Sequence, residues 1–209
     1  PLTFTKPTAE LRVGILKIRE KWEKRLNAKA SFLTHDYLQT KFTTCISGCN
    51  LLINGSLLPD DAIVQAINSL KNGESLKKDN VLLAINTSAD NFDLHDPSLV
   101  QDAKNYSGKV SRIDYPWKIF SLNGQEIASD ISLITNGRKS GILSKTVHVI
   151  GRENVFVEEG FNGEYFTLNA SAGPVYLGKD SEIMEGSVIR GPFALCDHAT
   201  VKLSAKIYG

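Results

Sequence analysis

The chain has no excess charge of either sign: 24 Lys and Arg against 23 Asp and Glu leave a net charge of +1 over 209 residues. Nothing therefore points to a nucleic-acid polyanion as partner or to a highly charged disordered tail. The chain also lacks any apolar run of membrane-spanning length and any charged-then-apolar leader, so a cytoplasmic protein is expected with no membrane partner. Cysteine is scarce and odd in number, only Cys45, Cys49 and Cys196, which argues against a disulfide framework. Cys45 and Cys49 stand further apart than a zinc-knuckle pair and have no second pair downstream, so they predict small buried hydrophobes rather than a metal site.

What the chain does have is a repeat. Aliphatic side chains stand at Leu177, Ile183, Ile189, Leu195, Val201 and Ile207, a spacing of six held without a slip. Four positions on from these lie Ser181, Ser187, Phe193, Ala199 and Ala205, small in every case but Phe193. Short strands that each turn one branched residue inward, with a small residue at the corner, predict a solenoid with a continuous narrow core. A helical period cannot produce this phase. Strands are also expected at 147–150 and 155–158, with 162–174 as a loop bulging from an early coil. The proline at position 1 and hexads still in phase at Gly209 predict a piece of a longer protein.

Ahead of the repeat the pattern is mixed. Leu11, Ile15, Ile18, Trp22 and Leu26 recur at helical spacing and predict one amphipathic helix. Strands are expected at 31–38, 50–54 and 81–85, and a helix from Pro59-Asp60-Asp61 with Ile63, Val64, Ile67 and Leu70 inward and Asn72-Gly73 as its stop. That alternation is of the α/β kind. Residues 86–114 read as a polar excursion. The aromatic run from Tyr115 to Phe120 predicts an edge packed against the first domain, Asn123-Gly124 a turn, and 127–135 a helix ending at Asn136-Gly137. The domains are placed at 1–140 and 141–209.

The run from Val175 to Cys196, preceded by Gly137-Arg138-Lys139-Ser140, resembles sugar-phosphate nucleotidyltransferases of the Bacteroidetes type, glucose-1-phosphate thymidylyltransferase-like. They are similar to the bifunctional N-acetylglucosamine-1-phosphate uridyltransferase/glucosamine-1-phosphate acetyltransferases. The resemblance implies an α/β nucleotidyltransferase domain followed by a left-handed parallel β-helix that trimerises. It also implies a nucleoside triphosphate and a sugar phosphate as ligands, with Mg²⁺ and acetyl-CoA as cofactors.

In that family a glycine-rich loop precedes Pro-Leu-Thr and then Pro-Lys, whose lysine contacts phosphate. Pro1-Leu2-Thr3-Phe4-Thr5-Lys6-Pro7-Thr8 resembles the second half. The glycine loop and the N-terminal strand are not present, and Thr8 stands where the lysine is expected, so Lys6, two residues early, is the substitute candidate or a plain surface lysine. Thr3, Lys6, Arg12 and Arg190 are the candidates for nucleotide or sugar-phosphate binding. Where relatives place a metal-binding aspartate stands Ser56, a neutral hydroxyl for a cation that prefers carboxylate oxygen; Asp60 reads as a helix cap. Lys6 and His198 are the candidate catalytic residues, His198 because Asp197-His198 could act as a base, against a solvated corner histidine. Arg190 beside Gly191-Pro192-Phe193 either meets a phosphate or pairs across a coil contact while Phe193 fills it.

Three functions follow. The first is nucleotidyl transfer from UTP or dTTP to a hexose 1-phosphate, with an acyltransferase-like β-helix attached. The second is a catalytically degenerate binding and trimerisation module, motivated by Thr8 and Ser56. The third is acetyl-CoA-dependent acyl transfer alone, whose motif is expected beyond Gly209.

Overall fold

The structure, a computed structural model, describes residues 2–88 and 98–208. His95 and Pro97 of the expected polar excursion lie outside the described residues. The chain forms two compact units, one of Pro1–Leu11 and Lys17–Lys118, the other of Arg12–Leu16 and Ile119–Gly209. The first is α/β and the second carries a parallel β-helix. No helix among the described residues is long and apolar enough to cross a membrane.

In the first unit a 3₁₀ turn, Thr8–Glu10, leads to α1 (Ile18–Leu26). The expected helix from Leu11 is thus shorter by two turns. Leu11, Val13 and Ile15 are buried and Arg12 exposed, an alternation of extended chain, because Gly14 adopts φ +79° and its neighbours' N–H groups find side-chain acceptors instead of a helix. Residues 31–38 are not a strand. Phe32 N–H meets only the Thr43 carbonyl, Ser31 holds Cys45 through its side chain, and the segment runs into the one-turn helix α2 (Asp36–Gln39). Cys45 and Cys49 are exposed, not buried as their size suggested.

The strands are β1 (Asn50–Ile53), β2 (Leu57–Leu58), β3 (Ser75–Lys78), β4 (Val81–Thr87), β5 (Lys104–Asn105) and β6 (Ser111–Arg112). Helix α3 (Asp61–Asn68) lies between β2 and β3, with Asp60 as its cap accepting from Ile63 N–H as expected; the short α4 (Ser98–Gln101) precedes β5. The sheet order is β1-β4-β3-β5, antiparallel but for β3 with β5, and β2 pairs antiparallel with β6. Strand β3 escaped the sequence reading. It joins β4 through Asp79-Asn80, both at positive φ, the two-residue geometry that matches strand twist. Ile63, Ile67 and Leu70 are buried as predicted, and Trp22 donates its indole N–H to the Leu57 carbonyl at 2.8 Å.

Helix α5 (Pro116–Thr135) is continuous through Asn123-Gly124, so no turn occurs there. Trp117 is 61% and Phe120 88% exposed, so the aromatic run opens a helix rather than packing an edge. From Ile119 onward α5 belongs to the second unit.

The solenoid strands are β7 (His148–Ile150), β8 (Val155–Val157), β9 (Asn162–Gly163), β10 (Thr167–Asn169), β11 (Val175–Leu177), β12 (Glu182–Ile183), β13 (Val188–Arg190), β14 (Phe193–Leu195), β15 (Thr200–Val201) and β16 (Lys206–Tyr208). They stack in three parallel sheets, β7-β10-β13-β16, β8-β11-β14 and β9-β12-β15, with Thr167–Asn169 and Asn162–Gly163 fully in the ladders. The expected loop at 162–174 is therefore part of the coil. Val175 pairs with Phe193 eighteen positions on, but Val155 pairs with Val175 twenty positions on. The longer early coil breaks the six-residue phase without breaking the stack.

Corners repeat too. Gly160, Asp180 and His198 stand above one another at positive φ, as do Tyr165, Gly186 and Ser204. The predicted aliphatics form the inward column, Leu177, Ile183 and Ile189 at 0–1% exposure and Leu195 and Val201 at 7%, and each fully buried side chain contributes about 1.5–3 kcal/mol. Where the first coil has Gly163 in line with Ile183, Phe161 and Phe166 meet edge to face at 6.1 Å and fill the space. Outward Phe156, Tyr176 and Ala194 are covered by Ile15, Ile131 and Ile134, so α5 lies along the β8-β11-β14 face.

Candidate functional site

Within the first unit, Thr3 and Lys6 lie in an exposed opening segment that ends at buried Pro7. The segment is held from behind. Glu10 N–H bonds the Pro7 carbonyl, Leu11 N–H the Thr8 carbonyl, and Ile18 N–H the Leu11 carbonyl. The Glu10 carboxylate, with 10% of its side chain exposed, accepts from Lys17 Nζ and Arg19 Nε at 2.6 Å each. Burial works to raise its pKa, but the Lys17 and Arg19 hydrogen bonds outweigh that and hold it below the usual carboxylate range.

Arg19 is itself fixed. Glu23 accepts from it at 2.7 Å, Glu20 lies at 3.8 Å, and the guanidinium sits over the Phe32 ring at 5.8 Å from the centroid. Glu20 in turn accepts the Lys17 N–H that opens α1.

Ser56 does not act as a carboxylate would. Its hydroxyl and its N–H both donate to Asn54 Oδ1, at 2.8 and 3.0 Å, and its carbonyl accepts from Ile113. Asp60 is occupied with Ile63 N–H at 2.9 Å, and Asp61 pairs with Arg25 at 2.5 Å. Among the described residues no group of three His, Cys, Asp or Glu side chains converges. At this place Ser56 offers a cation only a neutral hydroxyl already given to Asn54, and the neighbouring carboxylates of Asp60 and Asp61 are engaged with the Ile63 N–H and with Arg25.

The other candidates belong to the second unit. Arg12 is exposed, bonds the Ile15 carbonyl and reaches the Cys196 sulfur at 3.8 Å. Arg190 closes β13 with an exposed side chain between Asn169 and Tyr208 in the ladder, while Phe193 packs onto the solenoid core. His198 sits at a left-handed corner with 74% of its side chain exposed and Nδ1 at 3.9 Å from Asp180. Asp197 instead accepts from the Lys179 N–H at 2.9 Å, so it does not steady the histidine as a triad carboxylate would.

Two polar groupings went unread in the sequence. Asp130, 1% exposed, accepts from Ile15 and Leu16 N–H, and Asn123 Oδ1 from Gly14 N–H at 2.9 Å. An acid on the Ile127, Ile131 and Ile134 stripe was the available signal. Glu158 accepts from Arg138 and, at 2.8 Å, from the Tyr176 hydroxyl, with Arg138 over the Phe156 ring at 5.2 Å. Burial first, then that hydrogen bond to Glu158, pushes the Tyr176 hydroxyl far above its ordinary pKa, so it stays a donor.

A family model described as sugar nucleotidyl transferase matches residues 1–139. No curated protein and no solved structure matches the chain.

Proposed function

The chain belongs to the sugar nucleotidyl transferase family, and on that premise we propose that it joins a nucleoside triphosphate, UTP or dTTP, to a hexose 1-phosphate. A phosphate oxygen of the sugar phosphate attacks the α-phosphorus, the bond from that phosphorus to the bridging oxygen breaks, and pyrophosphate leaves. Such a reaction asks the protein mainly for positioning and charge neutralisation. In this reading Lys6 supplies the cation and Thr3 a hydroxyl, both on the exposed segment before Pro7. The observation that carries the proposal is the family match over that segment and the α/β unit.

The test is release of pyrophosphate from UTP or dTTP across a panel of hexose 1-phosphates. Turnover with one pair is expected, and its absence throughout overturns the reading. Mg²⁺ and acetyl-CoA come with the family resemblance; the residues at Ser56, Asp60 and Asp61 do not support a carboxylate-held metal there. A homotrimer through the β-helix, in the cytoplasm, is the assembly this reading adopts, and sedimentation equilibrium measures it.

A second reading is favoured by one observation. Ser56 is tied to Asn54 and Asp60 to a helix end, which suits a unit that binds nucleotide without turning it over. Calorimetric binding without pyrophosphate release would select it. Acyl transfer has one described candidate, His198, and its corner geometry gives it no carboxylate at hydrogen-bond distance.

A further inference from the structure

We propose that Glu10 is a positioning residue for the triphosphate, tying the segment that carries Thr3 and Lys6 to the first turn of α1. The proposal rests on the reading of Lys6 as the phosphate contact.

Apolar side chains could hold the same turn about as stably as a mostly buried carboxylate with two cations at 2.6 Å, because desolvation takes back much of the attraction. What two short charged bonds supply is direction. Glu10 ends the 3₁₀ turn that begins directly after Pro7, so its carboxylate fixes the place where the opening segment leaves the body of the unit.

The far side of the tie does not yield. Arg19 is held by Glu23 and Phe32, and Lys17, whose amine takes the other carboxylate oxygen, has its N–H on Glu20. Neither Glu10 nor Arg19 presents its charge to a ligand, since each spends it on the other. Their effect on the reaction runs through Lys6, and a displacement of an ångström at a phosphate contact is costly in affinity for the triphosphate.

Glu10→Gln, Lys6→Ala and the double variant form the test in the full chain, with KM for the triphosphate, KM for the sugar phosphate, kcat and the denaturation midpoint all measured. Glu10→Gln is expected to raise the triphosphate KM on the order of tenfold while kcat and the sugar-phosphate KM stay within about twofold. The double variant is expected to be no worse than Lys6→Ala, because both act through one contact. Hydrogen exchange in the peptide spanning residues 2–11 should rise in Glu10→Gln.

Additive effects overturn the proposal, as does a fall of all kinetic parameters in step with the denaturation midpoint. If the wild-type protein binds UTP or dTTP without turnover, calorimetric Kd replaces KM in the same cycle; nucleotidyl transfer then fails while the positioning role is still decided. Absence of triphosphate binding by the wild-type protein overturns both.

Discussion

The carboxylate of Asp130 accepts the backbone N–H groups of both Ile15 and Leu16, at 2.8 and 2.9 Å through the same oxygen. One side chain on α5 thus satisfies two donors of a segment that would otherwise continue as helix. Asp130→Ala leaves both N–H groups short of an acceptor in a buried place, and a loss of about 2–5 kcal/mol is expected in urea denaturation. A loss under about 1 kcal/mol would mean that water or another group replaces the carboxylate.

Gly124 gives a prediction that runs against helix propensity. Alanine at a helix interior ordinarily gains about 1 kcal/mol over glycine. Here an added Cβ would lie 2.9 Å from Pro192 Cγ at a solenoid corner. Gly124→Ala is therefore expected to destabilise, by about 1 kcal/mol or more, while Ser121→Ala on the exposed face of the same helix changes little. A stabilised Gly124→Ala protein would show that α5 does not lie against that corner.

The hexad column should be measurable residue by residue. Ile189 is fully buried and its neighbour Val188 is 46% exposed. Ile189→Ala is expected to cost about 2–5 kcal/mol, and Val188→Ala less than about 0.5 kcal/mol, both by chemical denaturation. Equal costs would contradict the register.

Acid should weaken the protein through two carboxylates. Glu158 is held below its usual range first by the Arg138 hydrogen bond, with burial opposing and Tyr176 assisting; Glu10 is held low by Lys17 and Arg19 against burial. A depressed folded-state pKa means the unfolded chain takes up the proton first. The stabilisation is present above the ordinary glutamate pKa of about 4.3 and is lost as pH falls through the lower folded values. Denaturation midpoints should be flat near neutrality as far as these two groups contribute, and fall below about pH 4.5. Glu158→Gln should flatten part of that acid limb, and an unchanged limb would exclude Glu158 as a contributor.

Lys6→Ala tests the nucleotidyl-transfer reading directly. Loss of a single phosphate contact is expected to raise the triphosphate KM roughly tenfold, a cost of about 1.4 kcal/mol, with the denaturation midpoint unchanged because Lys6 is exposed. Steady-state pyrophosphate release measures it, and an unchanged KM would return Lys6 to the surface.

Much of the fold was legible where one residue answers one local demand. Asp60 at the head of α3 and Gly137 after α5 are local punctuation, and each stands where expected. The candidate site was legible only as a motif. Thr3 and Lys6 are candidates only through the resemblance to the family's Pro-Leu-Thr motif, and Glu10 is not part of it, because its partners Lys17 and Arg19 lie beyond an excursion that the helical spacing of Leu11 and Ile15 concealed.

The sequence by itself determined the solenoid, since a six-residue period repeats one inward aliphatic per strand and no other regular structure satisfies it. Tertiary structure alone decided what the non-repeating residues do. Gly14 and Asp130, Gly124 and Pro192, and Phe161, Phe166 and Gly163 are far apart or out of phase in the chain. Their roles come from close approach and from which buried N–H finds which oxygen. Those constraints act between segments, so no local pattern in the sequence records them.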